Sequence, residues 1–182
     1  MRQIKEDILM AGQGGQGIMI MGRLVAYAAM NAGYNVTWIP SYGAEVRGGT
    51  AHSIVRIDTG RLISNPLIRV PTVCIAMNRA SILKFARRIV KGGLLIVDSS
   101  GAETVPETKG VRVVKAPFAG MASEIGDKRV ANMLAIGALN RIKGFFPIDE
   151  IVKALPAVLR GRKDLVPLNE EALRRGYSLD LG

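Results

Sequence analysis

The chain has 182 residues, of which 48% are hydrophobic and 5% aromatic, and its formal net charge is +10. This length fits one domain over residues 1–182 with a buried core, and the apolar content argues against disorder. The N-terminus lacks a signal peptide's hydrophobic region and no apolar run reaches the roughly 18 residues of a membrane span, so we expect a cytoplasmic protein without a membrane partner.

One cysteine, Cys74, excludes an internal disulfide and any zinc or iron–sulfur site held by several thiolates of this chain alone. The positive charge could attract nucleic acid, but the basic residues are dispersed and lack interleaved aromatic residues, which argues against that partner. Acidic partner subunits, an anionic cofactor or a solvated surface explain the charge equally well.

A glycine loop follows the first apolar run, Ile8–Met10, and precedes a helical pattern that starts at Ile18. A strand, glycine turn and helix in this order expose backbone N–H groups at a helix N-terminus, which favours a phosphate, a carboxylate or a docked partner's backbone. The alternative is that the glycines only permit close helix–strand packing. The candidate ligand-facing residues of this loop are Gly12, Gln13, Gly14, Gly15, Gln16 and Gly17.

Two common glycine motifs fit this loop incompletely. Gly12, Gly14 and Gly17 match the G-x-G-x-x-G dinucleotide turn, but that motif also needs an acidic residue about 20 positions later, where this chain has residues 38–41, Trp-Ile-Pro-Ser. A P-loop needs Lys and Ser or Thr after the last glycine, and this chain has Ile18 there instead. The sequence therefore disfavours NAD binding and ATP or GTP hydrolysis.

The helix that starts at Ile18 has a flat face of small and apolar residues, and Gly33 is expected to end it. Residues 34–39 form a β-rich alternating pattern, which predicts a second strand and a right-handed βαβ unit in a parallel sheet. The predicted helix face contains Met21, Gly22, Val25, Ala28, Ala29 and Ala32.

A second unusual loop, residues 40–49, leaves the carboxyl end of the second strand and should therefore face the glycine loop. Its charged residues flank Val46 beside two glycines, an arrangement that could bind a polar ligand or a partner's loop. An exposed loop with incidental charges is the alternative. The candidate site residues of this loop are Ser41, Tyr42, Glu45, Arg47, Gly48 and Gly49.

Residues 50–57 alternate as a strand, and residues 58–63 add a turn and a short return, which predicts a β-hairpin. His52, the only histidine, has no evident nucleophile or metal set, so a structural role is favoured. Residues 72–77 predict a buried parallel strand, with Cys74 as a core residue, and Asn78 is expected to cap the following helix.

The remaining chain continues an α/β pattern. Residues 94–98 predict a buried strand that brings Asp98 to the ligand-bearing edge, where a turn or cap role is the alternative. Residues 111–118 predict a strand. Residues 130–142 predict a helix that is apolar nearly all round, hence buried or covered by another subunit. Two further helices flank a basic link at residues 160–163.

Together, the glycine loop and residues 40–51, Pro-Ser-Tyr-Gly-Ala-Glu-Val-Arg-Gly-Gly-Thr-Ala, resemble the gamma subunits of 2-oxoacid:ferredoxin oxidoreductases. The second loop is the specific part of this resemblance, which also covers residues 74–77 and 131–133. Tyr42 with Glu45-Val46-Arg47 resembles the subunits of 2-oxoglutarate enzymes.

The resemblance implies a three-layer Rossmann-like α/β domain with a mostly parallel sheet and a β-hairpin. It also implies a complex with alpha, beta and often delta subunits that converts a 2-oxoacid to acyl-CoA and passes electrons to ferredoxin, and a gamma homodimer is possible. Such complexes use thiamine pyrophosphate and iron–sulfur clusters, which lie in the other subunits. The gamma chain is expected to be architectural, with a contribution to coenzyme A binding and no catalytic or metal-binding residue.

Overall fold

The computed structural model describes residues 3–42, 50–101 and 104–181. Its strands are β1 (Lys5–Gln13), β2 (Asn35–Tyr42), β3 (Thr50–Asp58), β4 (Val73–Ala76), β5 (Leu94–Asp98) and β6 (Arg112–Ala116). Its α-helices are α1 (Ile18–Asn31), α2 (Arg79–Phe85), α3 (Phe118–Ile125), α4 (Ala131–Lys143), α5 (Ile148–Val158) and α6 (Val166–Tyr177). Within these ranges, no helix is both long and apolar enough to cross a bilayer.

The six strands form one sheet in the order β2-β3-β1-β4-β5-β6. Strands β1, β4, β5 and β6 pair in parallel, whereas β3 is antiparallel to both of its neighbours. The expected mostly parallel α/β sheet is therefore confirmed. However, β1 and β2 are not adjacent as a simple βαβ unit would have them, because β3 lies between the two strands.

The hairpin predicted within residues 50–63 is wrong, because residues 61–63 form no strand. Both edges of β3 are already occupied by β1 and β2, so a returning strand has no edge to pair with. The Asp58 carboxylate also accepts hydrogen bonds from the backbone N–H groups of Gly60 and Arg61, at 2.8 and 2.9 Å, and this turn ends β3. The sheet contains two antiparallel pairs, β1–β3 and β2–β3, and only β2 and β3 are consecutive along the chain.

Helices cover the two faces of the sheet unequally. Helices α1, α3, α4, α5 and α6 contribute to the larger core on one face, and α2 packs with Ile68 on the other face. The predicted flat face of α1 is buried except for Ala32, which lies at the exposed C-terminal end of the helix. Gly33 ends α1 in a left-handed conformation at φ 77°, as expected.

Helix α4 is the centre of the larger helical layer. Every residue from Ala131 to Asn140 is buried within this chain, so intramolecular packing covers the helix that the sequence predicted to be apolar all round. Helix α6 crosses it closely: a Cβ atom added at Gly137 would lie 2.2 Å from the Leu173 carbonyl oxygen, and one at Gly176 would lie 2.1 Å from that of Leu134. Two glycines thus set the distance between the helices.

We predict that Gly137→Ala lowers the free energy of unfolding by at least about 2 kcal/mol, because the added methyl group pushes α6 off α4 at rigid backbone atoms. Gly120→Ala is the matched control, since this exposed helical glycine has its nearest neighbours at 3.8 Å. The control should leave stability unchanged or raise it by up to about 1 kcal/mol. Urea denaturation measures both, and equal stability of the two variants would refute the close crossing.

Candidate functional site

The glycine loop connects the end of β1 to the start of α1 and depends on left-handed backbone conformations. Gly15 and Gly17 have φ angles of 98° and 72°, which side chains rarely allow. A Cβ atom at Gly17 would also lie 2.1 Å from Nδ2 of Asn132 in α4. At Gly17 the loop therefore requires glycine both for its conformation and for its contact with the helical layer.

The side chain of Gln16 links the glycine loop to the end of β4 through hydrogen bonds. Its Oε1 atom accepts a hydrogen bond from the Gln13 N–H at 2.7 Å, and its Nε2 donates to the Met77 carbonyl oxygen at 2.9 Å. Met77 follows β4 directly and itself donates its N–H to the Ala11 carbonyl oxygen at 2.8 Å. Gln16 thus acts as a positioning residue, while Gln13, Gly14 and Gly15 are exposed.

The N-terminus of α1 has no compensating negative group. Gly17 occupies the cap position without a side-chain hydrogen bond, and the first turn contains no acidic residue. The N–H groups of Ile18, Met19 and Ile20 have no acceptor among the described residues, so the positive end of the helix dipole is unopposed there. Ile18 itself is buried, and Met19 and Ile20 are half-buried.

Strand β2, which precedes the second predicted loop in the sequence, ends at the same sheet edge as β1, which precedes the glycine loop. Ala51 of β3 pairs with Gly12 on one side and with Tyr42 on the other, so these three residues form one row across the sheet. Two strand spacings, about 10 Å, separate the outer residues of this row. The backbone of Ser41 and Tyr42, the last two residues of β2, is therefore close to Gly12. The other predicted site residues of the second loop, Glu45, Arg47, Gly48 and Gly49, lie outside the described residues.

Asp98 has the cap role that the sequence left as an alternative. It is buried, and its Oδ1 atom accepts hydrogen bonds from the N–H groups of Ser100 and Ala119 at 3.1 and 3.3 Å. Cys74 lies in the core, where burial raises the pKa of its thiol to about 12 and keeps it protonated. Among the described residues, no group of three or more His, Cys, Asp or Glu side chains could hold a metal ion.

Sequence reasoning missed a cleft on the helical side of the glycine loop. We call it the α1–α4–α6 cleft, and its cavity volume is about 160 Å³. The buried Asn132 of α4 contributes to its wall, as do the exposed Arg162 and residues of α6. The available signal was the polar Asn132 in a helix segment, Ala131 to Leu139, that is otherwise apolar. The contact of Asn132 with Gly17 could not be predicted, because the two residues are far apart in the sequence.

The sequence and the fold of this chain match a known protein family. The family described as "Pyruvate ferredoxin/flavodoxin oxidoreductase" matches residues 7–179, nearly the whole chain. The chain belongs to this family. It is 31% identical over 178 residues to the 2-oxoglutarate synthase subunit KorC of Methanothermobacter thermautotrophicus, covering 94% of this chain and 90% of KorC.

Two further relatives differ in how much of their length this chain covers. The ketoisovalerate oxidoreductase subunit VorA of the same organism is 32% identical over 171 residues, which cover 93% of this chain but only 35% of VorA. This chain thus spans about a third of the length of that relative. The pyruvate synthase subunit PorC of Thermotoga maritima is 27% identical over 94% of this chain and 92% of its own.

Solved structures of family members share the architecture. The gamma subunit of a keto/oxoacid ferredoxin oxidoreductase from Geobacter sulfurreducens has a TM-score of 0.81 at 28% identity, over 94% of this chain and 96% of that one. A 2-oxoglutarate:ferredoxin oxidoreductase from Magnetococcus marinus, solved with 2-oxoglutarate, coenzyme A and succinyl-CoA, has a TM-score of 0.83 at 25% identity. The similarity covers all of this chain and 32% of the Magnetococcus chain.

His52 follows Ala51 in β3. Its surroundings disfavour the charged form of its side chain. Its ring contacts Phe85 of α2 with a centroid distance of 5.8 Å. Burial, followed by the charges of Lys84 and Arg88, lowers the pKa of His52 below 6.5. Neutral His52 thus supports the packing of α2 on the sheet.

We predict that Lys84→Met raises the pKa of His52, because it removes one of the two neighbouring positive charges. In the unaltered chain, the unfolded state binds a proton at His52 more readily than the folded state. The contribution of His52 to stability is therefore complete above pH 6.5 and is lost as the pH falls below that value. An NMR titration of this single histidine measures the shift, with Lys153→Met as a distant control. An unchanged pKa in Lys84→Met would rule out the charge effect.

Proposed function

We propose that this chain is the gamma subunit of a 2-oxoacid:ferredoxin oxidoreductase. The observation that carries the proposal is the family match over residues 7–179, together with near full-length similarity to a separate gamma subunit. The complex would convert a 2-oxoacid, CoA and oxidised ferredoxin to acyl-CoA, CO2 and reduced ferredoxin. Alpha, beta and often delta subunits would be its partners, and they would hold the thiamine pyrophosphate and iron–sulfur clusters that perform decarboxylation and electron transfer.

We propose 2-oxoglutarate as the substrate of the assembled complex. The proposal is supported by the residues Tyr42 and Glu45-Val46-Arg47 and by the similarity to KorC over most of both chains. The similarity to subunits named for ketoisovalerate and pyruvate makes these the competing substrates to test. Ferredoxin reduction by the co-purified complex with each 2-oxoacid tests this choice, and a higher kcat/KM for either competitor would overturn it.

We also propose that the sheet edge formed by the two loops contributes to CoA binding. The exposed backbone at Gly14 and Gly15 lies at the same edge as the end of β2, which leads to Arg47. Backbone N–H groups can donate hydrogen bonds to CoA phosphate oxygens, and an arginine can pair with the same group in a bidentate manner. The role of this chain is therefore binding and positioning, and the reacting thiol and acyl groups would be handled by the partner subunits.

Two other functions make different predictions. A free-standing nucleotide-binding protein would bind NAD(P), FAD or CoA without partners, but the end of β2 lacks the acidic residue that a ribose-binding dinucleotide site uses. A purely structural subunit would co-purify with alpha and beta chains and leave the KM for CoA independent of its loops. Co-purification followed by mass spectrometry distinguishes a free-standing nucleotide-binding protein from a subunit of a complex. The effect of loop substitutions on the KM for CoA distinguishes a purely structural subunit from one that contributes to CoA binding.

We predict that Arg47→Ala raises the KM for CoA of the assembled complex about tenfold, because a charge-assisted hydrogen bond to phosphate is lost. The KM for the 2-oxoacid should change less than twofold. Thermal unfolding of the chain should be nearly unchanged, because the proposed role of Arg47 is to bind CoA and not to stabilise the fold.

Arg87→Ala is the matched control for this measurement. Arg87 is exposed and follows α2, on the face of the sheet opposite the larger helical layer. Its substitution removes one positive charge, as Arg47→Ala does. It should leave the KM for CoA unchanged. An equal increase in both variants would indicate a general charge effect, and an equal loss of folding and turnover in Arg47→Ala would count against a ligand role.

A further inference from the structure

The loop of residues 59–71 connects β3 to β4 on the face of the sheet that carries α2. Ile68 is buried on that face, whereas Leu62, Leu67 and Val70 are 87%, 63% and 51% exposed. These three are half of the six large hydrophobic side chains that are exposed among the described residues, and they lie within one stretch of nine residues. Such a concentration of exposed apolar side chains indicates a surface that a partner covers.

Hydrogen bonds hold this loop against the sheet, so its surface is preformed. Arg56 of β3 binds the carboxylate of Asp7 in β1 through two hydrogen bonds of 2.6 and 2.7 Å. Nη1 of Arg56 also donates to the Asn65 carbonyl oxygen, and the Arg88 guanidinium donates to the Arg69 carbonyl oxygen at 3.2 Å. A loop fixed at both points can bind a partner with little loss of conformational entropy.

A cavity of about 360 Å³ lies beside the exposed side chains of the loop. Leu67 and Val70 give it an apolar lining, and Arg69 gives it a positive charge. Asp7 and Arg56 also line the cavity, but their ion pair balances their charges. Along β1, Asp7 lies five residues, about 17 Å, before the row at the glycine-loop edge. The cavity is therefore separate from the edge proposed for CoA.

The charges of this part of the chain have one sign. Residues 59–97 contain no Asp or Glu, whereas they contain seven basic residues: Arg61, Arg69, Arg79, Lys84, Arg87, Arg88 and Lys91. Lys84 and Arg88 lie over the ring of Phe85 at 5.3 and 5.5 Å, and Arg88 also contacts the loop at Arg69. Positive charges thus border the exposed apolar side chains. We call Leu62, Leu67, Arg69, Val70, Lys84 and Arg88 the loop–α2 surface.

The composition of the loop–α2 surface disfavours three other occupants. A second copy of the chain would bring two positively charged surfaces together, since the net charge of each copy is +10. Nucleic acid would leave the aliphatic side chains uncovered, and Phe85, the one aromatic residue of the segment 59–97, is buried and unable to stack on a base. A brief encounter with a soluble electron carrier buries little surface and would leave most of these side chains in water.

We propose that the loop–α2 surface docks an acidic segment of a partner subunit in the assembled oxidoreductase. Aspartate or glutamate side chains of that segment would pair with Arg69, Lys84 and Arg88. Its aliphatic side chains would cover Leu67 and Val70 and enter the cavity between them and Arg69. The inference rests on the proposed function, because it requires partner subunits, but it does not depend on CoA binding.

Subunit exchange in the assembled complex tests the proposal. The complex is mixed with an excess of free ¹⁵N-labelled chain, and mass spectrometry follows the replacement of the unlabelled chain. We expect Arg69→Glu and Lys84→Glu to speed this replacement at least about tenfold, because a like charge then faces the acidic segment. Failure of either variant to enter the complex, with thermal unfolding of the chain unchanged, would be the same result in a stronger form. Raising the potassium chloride concentration should speed exchange of the unaltered chain, since salt screens the charge pairs.

Two matched controls make the test specific. Lys128→Glu reverses an exposed charge between α3 and α4, in the larger helical layer, and should change the exchange rate less than about twofold. Leu67→Gln should speed exchange about tenfold at every salt concentration, because it removes apolar contact area and no charge. Its control is Met30→Gln in α1, where the side chain is 53% exposed, and this variant should exchange like the unaltered chain.

Equal exchange rates in Arg69→Glu and Lys128→Glu, or in Leu67→Gln and Met30→Gln, would overturn the inference. It would also be overturned if Arg69→Glu abolished binding of a DNA duplex or dissociated a dimer of this chain while subunit exchange stayed unchanged. A complex that assembles and exchanges alike in all variants refutes the docking surface and leaves the proposed function intact. An unaltered chain that enters no complex refutes both.

Discussion

The pairing of β3 with both β1 and β2 is the constraint on which the candidate site depends. Because β3 is antiparallel to both neighbours, β2 runs in the same direction as β1, and the carboxyl ends of the two strands reach one edge. The register aligns Gly12, Ala51 and Tyr42 in one row. A slip of one residue in either pair would turn the side chains of a strand to the opposite face and separate the loops. Backbone hydrogen bonds in the sheet therefore bring the end of β2 beside the end of β1, independently of the loop sequences.

The local signals in the sequence predicted the strands and helices well. The continuous apolar runs became β4 and β5, Asn78 accepts a hydrogen bond from the Ser81 N–H at the start of α2, and Gly33 ends α1. These features depend on residues within a few positions of one another, so periodicity and capping preferences detect them. The family resemblance drawn from the two loops was confirmed by the match over residues 7–179.

Long-range pairing explains what the sequence did not predict. The alternation in residues 50–57 identified a strand, but no local feature indicates which strands flank it, and the Asx turn at Asp58 resembled the start of a hairpin. The same limit applies to the candidate site. The spacing of the glycines identified the glycine loop. The hydrogen bonds from Gln16 to Met77 and from Asn132 to Gly17 were not predicted, because they join residues 61 and 115 positions apart.

The helical layer links the stability of the domain to its binding surfaces. Close packing of α6 on α4 at Gly137 and Gly176 holds Asn132 in the buried layer against Gly17. On the other face of the sheet, α2 and neutral His52 cover β3 beside the same edge. Helices thus pack on both faces of the sheet, and the glycine loop presents exposed backbone at Gln13, Gly14 and Gly15 without a Cβ atom at the two glycines. A preformed surface of this kind can bind a ligand with little ordering of the chain.

Amide hydrogen exchange of the assembled complex, measured with and without CoA, tests the central claim most directly. If the two loops form part of the CoA site, CoA should slow exchange in peptides that cover residues 12–17 and 41–50 of this chain. Peptides from α2, on the other face of the sheet, should be unaffected. Unchanged exchange in both loop peptides, with protection confined to the partner subunits, would contradict the account and leave this chain with an architectural role only.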